Sequence, residues 1–276
     1  MNELTYDRVQ SHLARLKLPR MSECLDGLAE AAAKQDWTYL DFLDQLLQAE
    51  VSARSERDIA MKTKLAHFPF SKTLDQFDFG FQPSISERQI RELASLRFVA
   101  NGENVLLLGP PGVGKTHLAI ALGVAAIQQG TSVYFTTMVD LLEVLHRDAK
   151  EDRLAHRLDT LSRPKLLIVD EMGYFPLDRL AAQFLFHLVS RRYQKGAIIL
   201  TSNKSYGDWG DIFADQILAT AILDRLLHFS TTINIRGQSY RLREKRKAGV
   251  FTELSESAKE GQTCTKASLV ATQDGV

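Results

Sequence analysis

The stretch "LLLGPPGVGKTHLA", Leu106–Ala119, decides how the rest of the chain is read. It fits the pattern GxxxxGK[ST], with Gly109, Gly114, Lys115 and Thr116 at the fixed positions. An apolar run precedes it and an apolar helical run follows, the setting such a loop requires. Glycines let the backbone curl until successive N–H groups point at phosphate oxygens, and the helix N-terminus adds roughly half a positive charge. Lys115 is placed to reach β- and γ-phosphates, and the Thr116 hydroxyl to ligand Mg²⁺. Gly109, Pro110, Pro111, Gly112, Val113, Gly114, Lys115, Thr116 and His117 are therefore expected to line an ATP site.

Outward from this loop, helix and strand patterns alternate between Glu87 and about Leu254. Strands are expected at 104–109, 132–137, 165–171, 197–203 and 231–237. All but the second and fifth are near-continuous apolar runs, as expected when both faces of a sheet are covered. Helical runs lie between them, two of them ended by Gly130 and Gly196. This alternation predicts an α/β sandwich with a parallel sheet.

Residues 1–66 read as all-helical, as a small domain or an oligomerisation arm. Leu4, Val9, Leu13 and Leu16 keep helical spacing before Pro19, a second helix runs from near Ser22 to Lys34, and a third from about Thr38 to Leu65. On the third, Leu40, Leu43, Leu46, Leu47 and Val51 mark one apolar stripe. Residues 67–86 form a turn-rich connector with Phe68, Phe70, Phe77, Phe79 and Phe81. Two readings stand for these rings: they pin the connector to the next domain, or one of them touches a nucleotide base. The segment 255–276 is polar and Ser/Thr-rich, and is expected to be disordered.

Lys plus Arg equals Asp plus Glu, at 34 each, so any nucleic-acid partner must be met by a local patch rather than a global field. Two distant cysteines, Cys24 and Cys264, make neither a disulfide framework nor a metal motif. The charged N-terminus has no signal-peptide pattern and no run is apolar enough to span a bilayer, so a cytoplasmic location and no membrane partner are expected.

Further residues carry chemistry. "LLIVDEMG" ends an apolar run in Asp170 and Glu171, the first suited to hold Mg²⁺ and the second to polarise a water for attack on the γ-phosphate. A carboxylate there favours hydrolysis over transfer to a small-molecule acceptor. Asn203, closing "IILTSN", is placed to orient the same water or the γ-phosphate. Arg225 in "AILDRLLH" projects off the stripe of Ile222, Leu226 and Phe229. It either reaches a neighbouring subunit's γ-phosphate or makes a surface salt bridge. In "IRGQSYRLREKRK" Arg236, Arg241, Arg243, Lys245, Arg246 and Lys247 outnumber Glu244. This cluster either meets DNA phosphates or is a solvated helix end, and Arg241 has the further option of turning inward to ATP.

Together "ENVLLLGPPGVGKTHLAIALG", "LLIVDEMGYFPLD", "RRYQKGAIILTSNKSYGDWGDIFADQILATAILDRLLH" and "GQSYRLR" resemble the IstB group of transposition helper ATPases, close to the DnaC-type helicase loaders in the AAA+ superfamily. The resemblance runs from the N-terminal helices to about residue 250. It implies a three-layer P-loop AAA+ core over 87–254 that hydrolyses ATP with Mg²⁺. It also implies self-association into a ring or helical oligomer on double-stranded DNA, and recruitment of an IstA-type transposase. Lys115 and Thr116 match the Walker A positions, Asp170 and Glu171 Walker B, Asn203 the first sensor, Arg225 the arginine finger and Arg241 the second sensor. A DnaC-type loader of a replicative helicase is the alternative, with the same chemistry and another client.

Overall fold

The computed structural model describes residues 3–213 and 215–247. The expected tail (255–276), the end of the expected core (248–254) and the side chains of Lys245, Arg246 and Lys247 lie outside the described residues. Three helices come first: α1 (Glu3–Arg15), α2 (Pro19–Lys34) and α3 (Tyr39–Leu65). Two short ones, α4 (Glu87–Leu93) and α5 (Arg97–Asn101), lead into β1 (Asn104–Leu108) and α6 (Lys115–Gln128). Then follow β2 (Val133–Thr137), α7 (Met138–Lys150), α8 (Leu154–Ser162), β3 (Leu166–Met172) and α9 (Arg179–Arg192). The chain continues through β4 (Ala197–Ser202), α10 (Gln216–His228), β5 (Ser230–Asn234) and α11 (Tyr240–Lys247).

The strands form one parallel sheet in the order β2-β3-β4-β1-β5. The two strands that lacked a continuous apolar run are its two edges. The pleat divides the inner strands between two cores. Val105 and Leu107, Leu166 and Ile168, Ala197 and Ile199 face a core shared with α6. Leu106, Leu167, Val169, Ile198 and Leu200 face one shared with α7, α9 and α10. On α6, Leu118, Ile120, Leu122 and Ile127 are all buried, each side chain worth about 1.5–3 kcal/mol relative to exposure.

Two buried polar groups lock the N-terminal ends of the strands. Asn104 donates from Nδ2 to Leu226 O (3.1 Å) on α10 and accepts at Oδ1 from the Ile198 amide (3.1 Å) on β4. The Arg192 guanidinium donates to the carbonyls of Leu161 (2.9 Å), Pro164 (2.9 Å), Lys165 (3.2 Å) and Ala197 (2.8 Å). It thereby ties the end of α9 to the entries of β3 and β4. Burial among neutral carbonyls brings its pKa down to about 10.

The N-terminal helices pack around Leu13, Met21, Leu25 and Leu46. The stripe expected on α3 does not turn inward as a unit. Leu46 is buried, but Leu40, Leu43, Leu47 and Val51 lie in solvent, Val51 at 64% exposure against 2% for its neighbour Glu50. The reason is a cap. Proline opens α2, and the amides of Arg20 (2.8 Å) and Met21 (3.2 Å) donate to the Glu50 carboxylate, which also receives Arg54 Nε (3.1 Å). Helix ends leave such N–H groups without partners, so α3 turns the face carrying Leu46 and Glu50 toward α2. Burial alone would raise the Glu50 pKa, but these donors hold it below the usual carboxylate value.

The far half of α3 lies on the sheet domain. Ile59 packs on the α6-side core, Lys62 Nζ donates to Gly130 O (2.7 Å), and Ala66 O accepts the Phe135 amide of edge strand β2 (2.8 Å). Of the connector's rings, Phe68, Phe77 and Phe79 pack against the same core. Phe68 fills a notch at Gly123, where a Cβ would lie 2.8 Å from the ring. No helix among the described residues is long and apolar enough to cross a membrane.

Candidate nucleotide-binding site

The loop between β1 and α6 sits at the C-terminal edge of the sheet, where doubly wound folds bind ligands. Gly112 (φ +80°) and Gly114 (φ +100°) have backbone angles that side-chain-bearing residues avoid. Each also has a close neighbour. A Cβ on Gly112 would run into the Ser239 side chain, and one on Gly114 would lie 2.6 Å from the Phe77 ring. The loop thus lies between the connector and the segment ahead of α11. Tyr240 N donates to Gly112 O (2.9 Å), and buried Gln82 donates to Gln238 O (3.1 Å).

These elements wall a cleft of ≈ 390 Å³ whose lining includes Phe77, Lys115, Thr116, Glu171, Tyr174 and Arg241. Lys115, the first residue of α6, is buried, with Nζ 2.7 Å from Gly109 O and 2.8 Å from Pro110 O. Burial lowers its pKa, with the Arg241 charge adding to the effect and Asp170 and Glu171 opposing it. His117 Nε2 sits 3.0 Å from Thr73 O, and its ring meets Phe77 edge-on.

Asp170 is buried on β3, and Thr116 Oγ1 donates to its Oδ1 at 3.1 Å. Burial raises its pKa, against the hydroxyl donors and Lys115. Carboxylate and hydroxyl oxygens beside a phosphate loop suit Mg²⁺, which takes one or two carboxylates and completes its shell with phosphates and water. Among the described residues no cluster of three or more His, Cys, Asp or Glu forms a separate metal cage. Glu171 has a left-handed backbone (φ +62°), a conformation costing about 1–3 kcal/mol that persists at functional sites when its surroundings enforce it. Its side chain lines the cleft.

The structure brings the loop from Pro111 to His117, Glu171 and Arg241 onto one cleft, with Asp170 bonded to Thr116. It sets three other expected residues apart. Asn203 lies just past β4 near Gly173 and off the cleft wall, its buried Oδ1 without a partner. Arg225 stacks 4.6 Å over the Phe186 ring and donates to Ala221 O (3.3 Å) on its own helix. Among the described residues it makes no salt bridge. Arg243 is not a free cation: it reaches Asp78 (3.4 Å) and lies 4.6 Å over Phe81. Of the connector rings, Phe77 packs on the core and also lines the cleft. Thr201 was missed, although a threonine in the buried run "AIILTSN" is a visible signal. Its hydroxyl donates to Asp170 Oδ1 (2.5 Å) and accepts the Glu171 amide (2.9 Å).

A parallel sheet carrying a phosphate loop after β1 at its C-terminal edge, an acidic pair on β3 with β4 inserted between the two strands, and a helical N-terminal region define a P-loop ATP-binding protein of the AAA+ type. Its sheet domain resembles DnaI (TM-score 0.52, 19% identity, 60% of this chain and 91% of that one). It also resembles the replication initiator DnaA bound to AMPPCP and single-stranded DNA (TM-score 0.52, 20% identity, 64% of this chain and 54% of that one). Residues 11–248 match the IstB-like ATP binding proteins, and the chain belongs to that family. Its relatives include the insertion sequence IS21 ATP-binding protein of Pseudomonas aeruginosa, 53% identical over 87% of this chain and 91% of the relative. Another, the insertion sequence IS5376 ATP-binding protein of Geobacillus stearothermophilus, is 49% identical over 87% of this chain and 96% of its own length.

Proposed function

We propose that the chain is a Mg²⁺-dependent ATPase that assembles on duplex DNA and serves the transposase of an insertion sequence. The observation that carries the ATPase reading is the meeting of Thr116, Asp170 and Glu171 at one loop. Thr116 and Asp170 would hold the ion, which neutralises phosphate charge when bound. Lys115 binds the phosphates, and Arg241 adds a second cation from α11. The Glu171 carboxylate takes a proton from the attacking water. Arg225, on α10, would leave its contact with Phe186 to reach a neighbouring subunit's nucleotide.

Arg243, Lys245, Arg246 and Lys247 supply the DNA contact, Arg243 by exchanging its exposed pair with Asp78 for a phosphate. Residues 1–66 act as the assembly and partner-binding region, 67–86 as the strap over the cleft, and 87–254 as the ATPase core. The insertion-sequence names of the relatives support a transposase, here of the IstA type, as the client; the working form is a ring or helical oligomer in the cytoplasm. The test is phosphate release with and without duplex DNA, together with oligomer size with ATP. Duplex should raise both. A monomer indifferent to ATP and DNA overturns the reading, and a preference for single strands points to the helicase-loader client.

A further inference from the structure

The ladder between β3 and β4 slips by one residue at the cleft. Val169 pairs with Leu200 and Met172 with Ser202, so Asp170 and Glu171 together stand opposite the single residue Thr201. A bulge of this kind removes a ladder hydrogen bond and re-aims a side chain. A buried amide released this way needs another acceptor. Here the Glu171 N–H goes to Thr201 Oγ1 at 2.9 Å, and the same hydroxyl gives its proton to Asp170 Oδ1 at 2.5 Å. Thr201 is 1% exposed, at the wall of the cleft. One hydroxyl thus acts as acceptor for the glutamate's backbone and donor to the aspartate's side chain.

We infer that Thr201 is a positioning residue that sets the Asp170 carboxylate and the Glu171 side chain in register with the phosphate loop, a role that Asn203 does not fill. Asn203, two residues on, makes no side-chain hydrogen bond to Asp170 or Glu171 among the described residues, and its buried Oδ1 lacks a donor. Only a side chain that can donate and accept at once meets the requirement. Serine satisfies it. Valine has nearly the shape of threonine and satisfies neither half.

The inference rests on the proposed Mg²⁺-dependent ATPase, and the test separates the two. A fluorescent ATP analogue is titrated in EDTA and then over a range of Mg²⁺ for the wild type, Thr201→Val, Thr201→Ser and Asn203→Ala, and phosphate release is measured in parallel. In EDTA the analogue should bind Thr201→Val as it binds the wild type. The Mg²⁺ concentration that tightens binding should rise about 10–100-fold in Thr201→Val, the usual cost of losing a partner behind a metal ligand. Phosphate release should fall by a similar factor even at saturating Mg²⁺. Thr201→Ser should restore both to within about threefold. Asn203→Ala should move the Mg²⁺ midpoint less than Thr201→Val does.

A Mg²⁺ midpoint in Thr201→Val equal to wild type overturns the inference. So does a serine variant as impaired as the valine one, since packing and not the hydroxyl would then matter. If the wild type releases no phosphate, the ATPase reading fails and the Mg²⁺ titration still decides the role of Thr201. If Thr201→Val does not melt cooperatively, Thr201→Cys takes its place, its thiol being a weak donor and acceptor.

Discussion

The two ends of one sheet handle their polar groups in opposite ways. At the N-terminal ends of the strands, Arg192 gives its terminal nitrogens to four carbonyls and Asn104 uses both sides of its amide. At the C-terminal ends, Glu171 is held at φ +62°, and Lys115 and Asp170 lie buried with their charges facing one another across the phosphate loop. One end uses polar side chains to fix where strands begin. The other keeps them strained or buried, ready for a charged ligand. Stability and chemistry are therefore expected to respond to different substitutions.

The largest contrast is expected at Glu171. Glu171→Gln should lower phosphate release about 10²–10⁴-fold while ATP still binds, and its melting temperature should stay close to wild type. A melting temperature that collapses with turnover would erase the division between the ends. Arg192→Leu is the mirror experiment. It leaves buried carbonyls without a donor and should cost about 3 kcal/mol or more in urea unfolding. The protein that remains folded should bind the ATP analogue with unchanged affinity, and a matching loss of affinity would break the comparison.

Acid sharpens it further. Buried Asp148, in the last turn of α7, accepts Arg157 Nε at 2.7 Å, and that bond, against the effect of burial, holds its carboxyl below the usual value. A depressed folded pKa means stability that is complete above the unfolded pKa of about 3.9 and is lost as pH falls through the folded one. Melting temperature should therefore fall more steeply below about pH 4 in the wild type than in Asp148→Asn, which starts lower at neutral pH. Parallel curves would remove Asp148 from the ledger of fixed charges. The smallest effect is expected outside the sheet: Leu47→Ala, in the solvent-facing stripe of α3, should change unfolding free energy by no more than about 0.5 kcal/mol.

How far the sequence could be read depended on what each residue answers to. Strands buried on both faces show as apolar runs, and the two broken runs proved to be the edges β2 and β5. Walker A and the acidic pair were legible because phosphate chemistry fixes residue type and spacing together. The short helices α4, α5 and α8 were not picked out, since one or two turns carry little periodicity. The stripe on α3 misled because Leu40, Leu43, Leu47 and Val51 match helical spacing as well as any buried face. What orients that helix is Glu50, an acid whose role depends on amides thirty and twenty-nine positions away. The bulge at Asp170–Glu171 was likewise hidden, because register belongs to two strands at once.

Helix α3 runs 27 residues from Tyr39 to Leu65 with neither glycine nor proline, a rod about 40 Å long with no place to bend. Glu50 clasps α2 near its middle, and the carbonyl of Ala66, at its far end, is bonded to edge strand β2. The N-terminal helices are therefore geared to the sheet rather than tethered to it. The rod ends on the strand whose last residue, Thr137, caps α7.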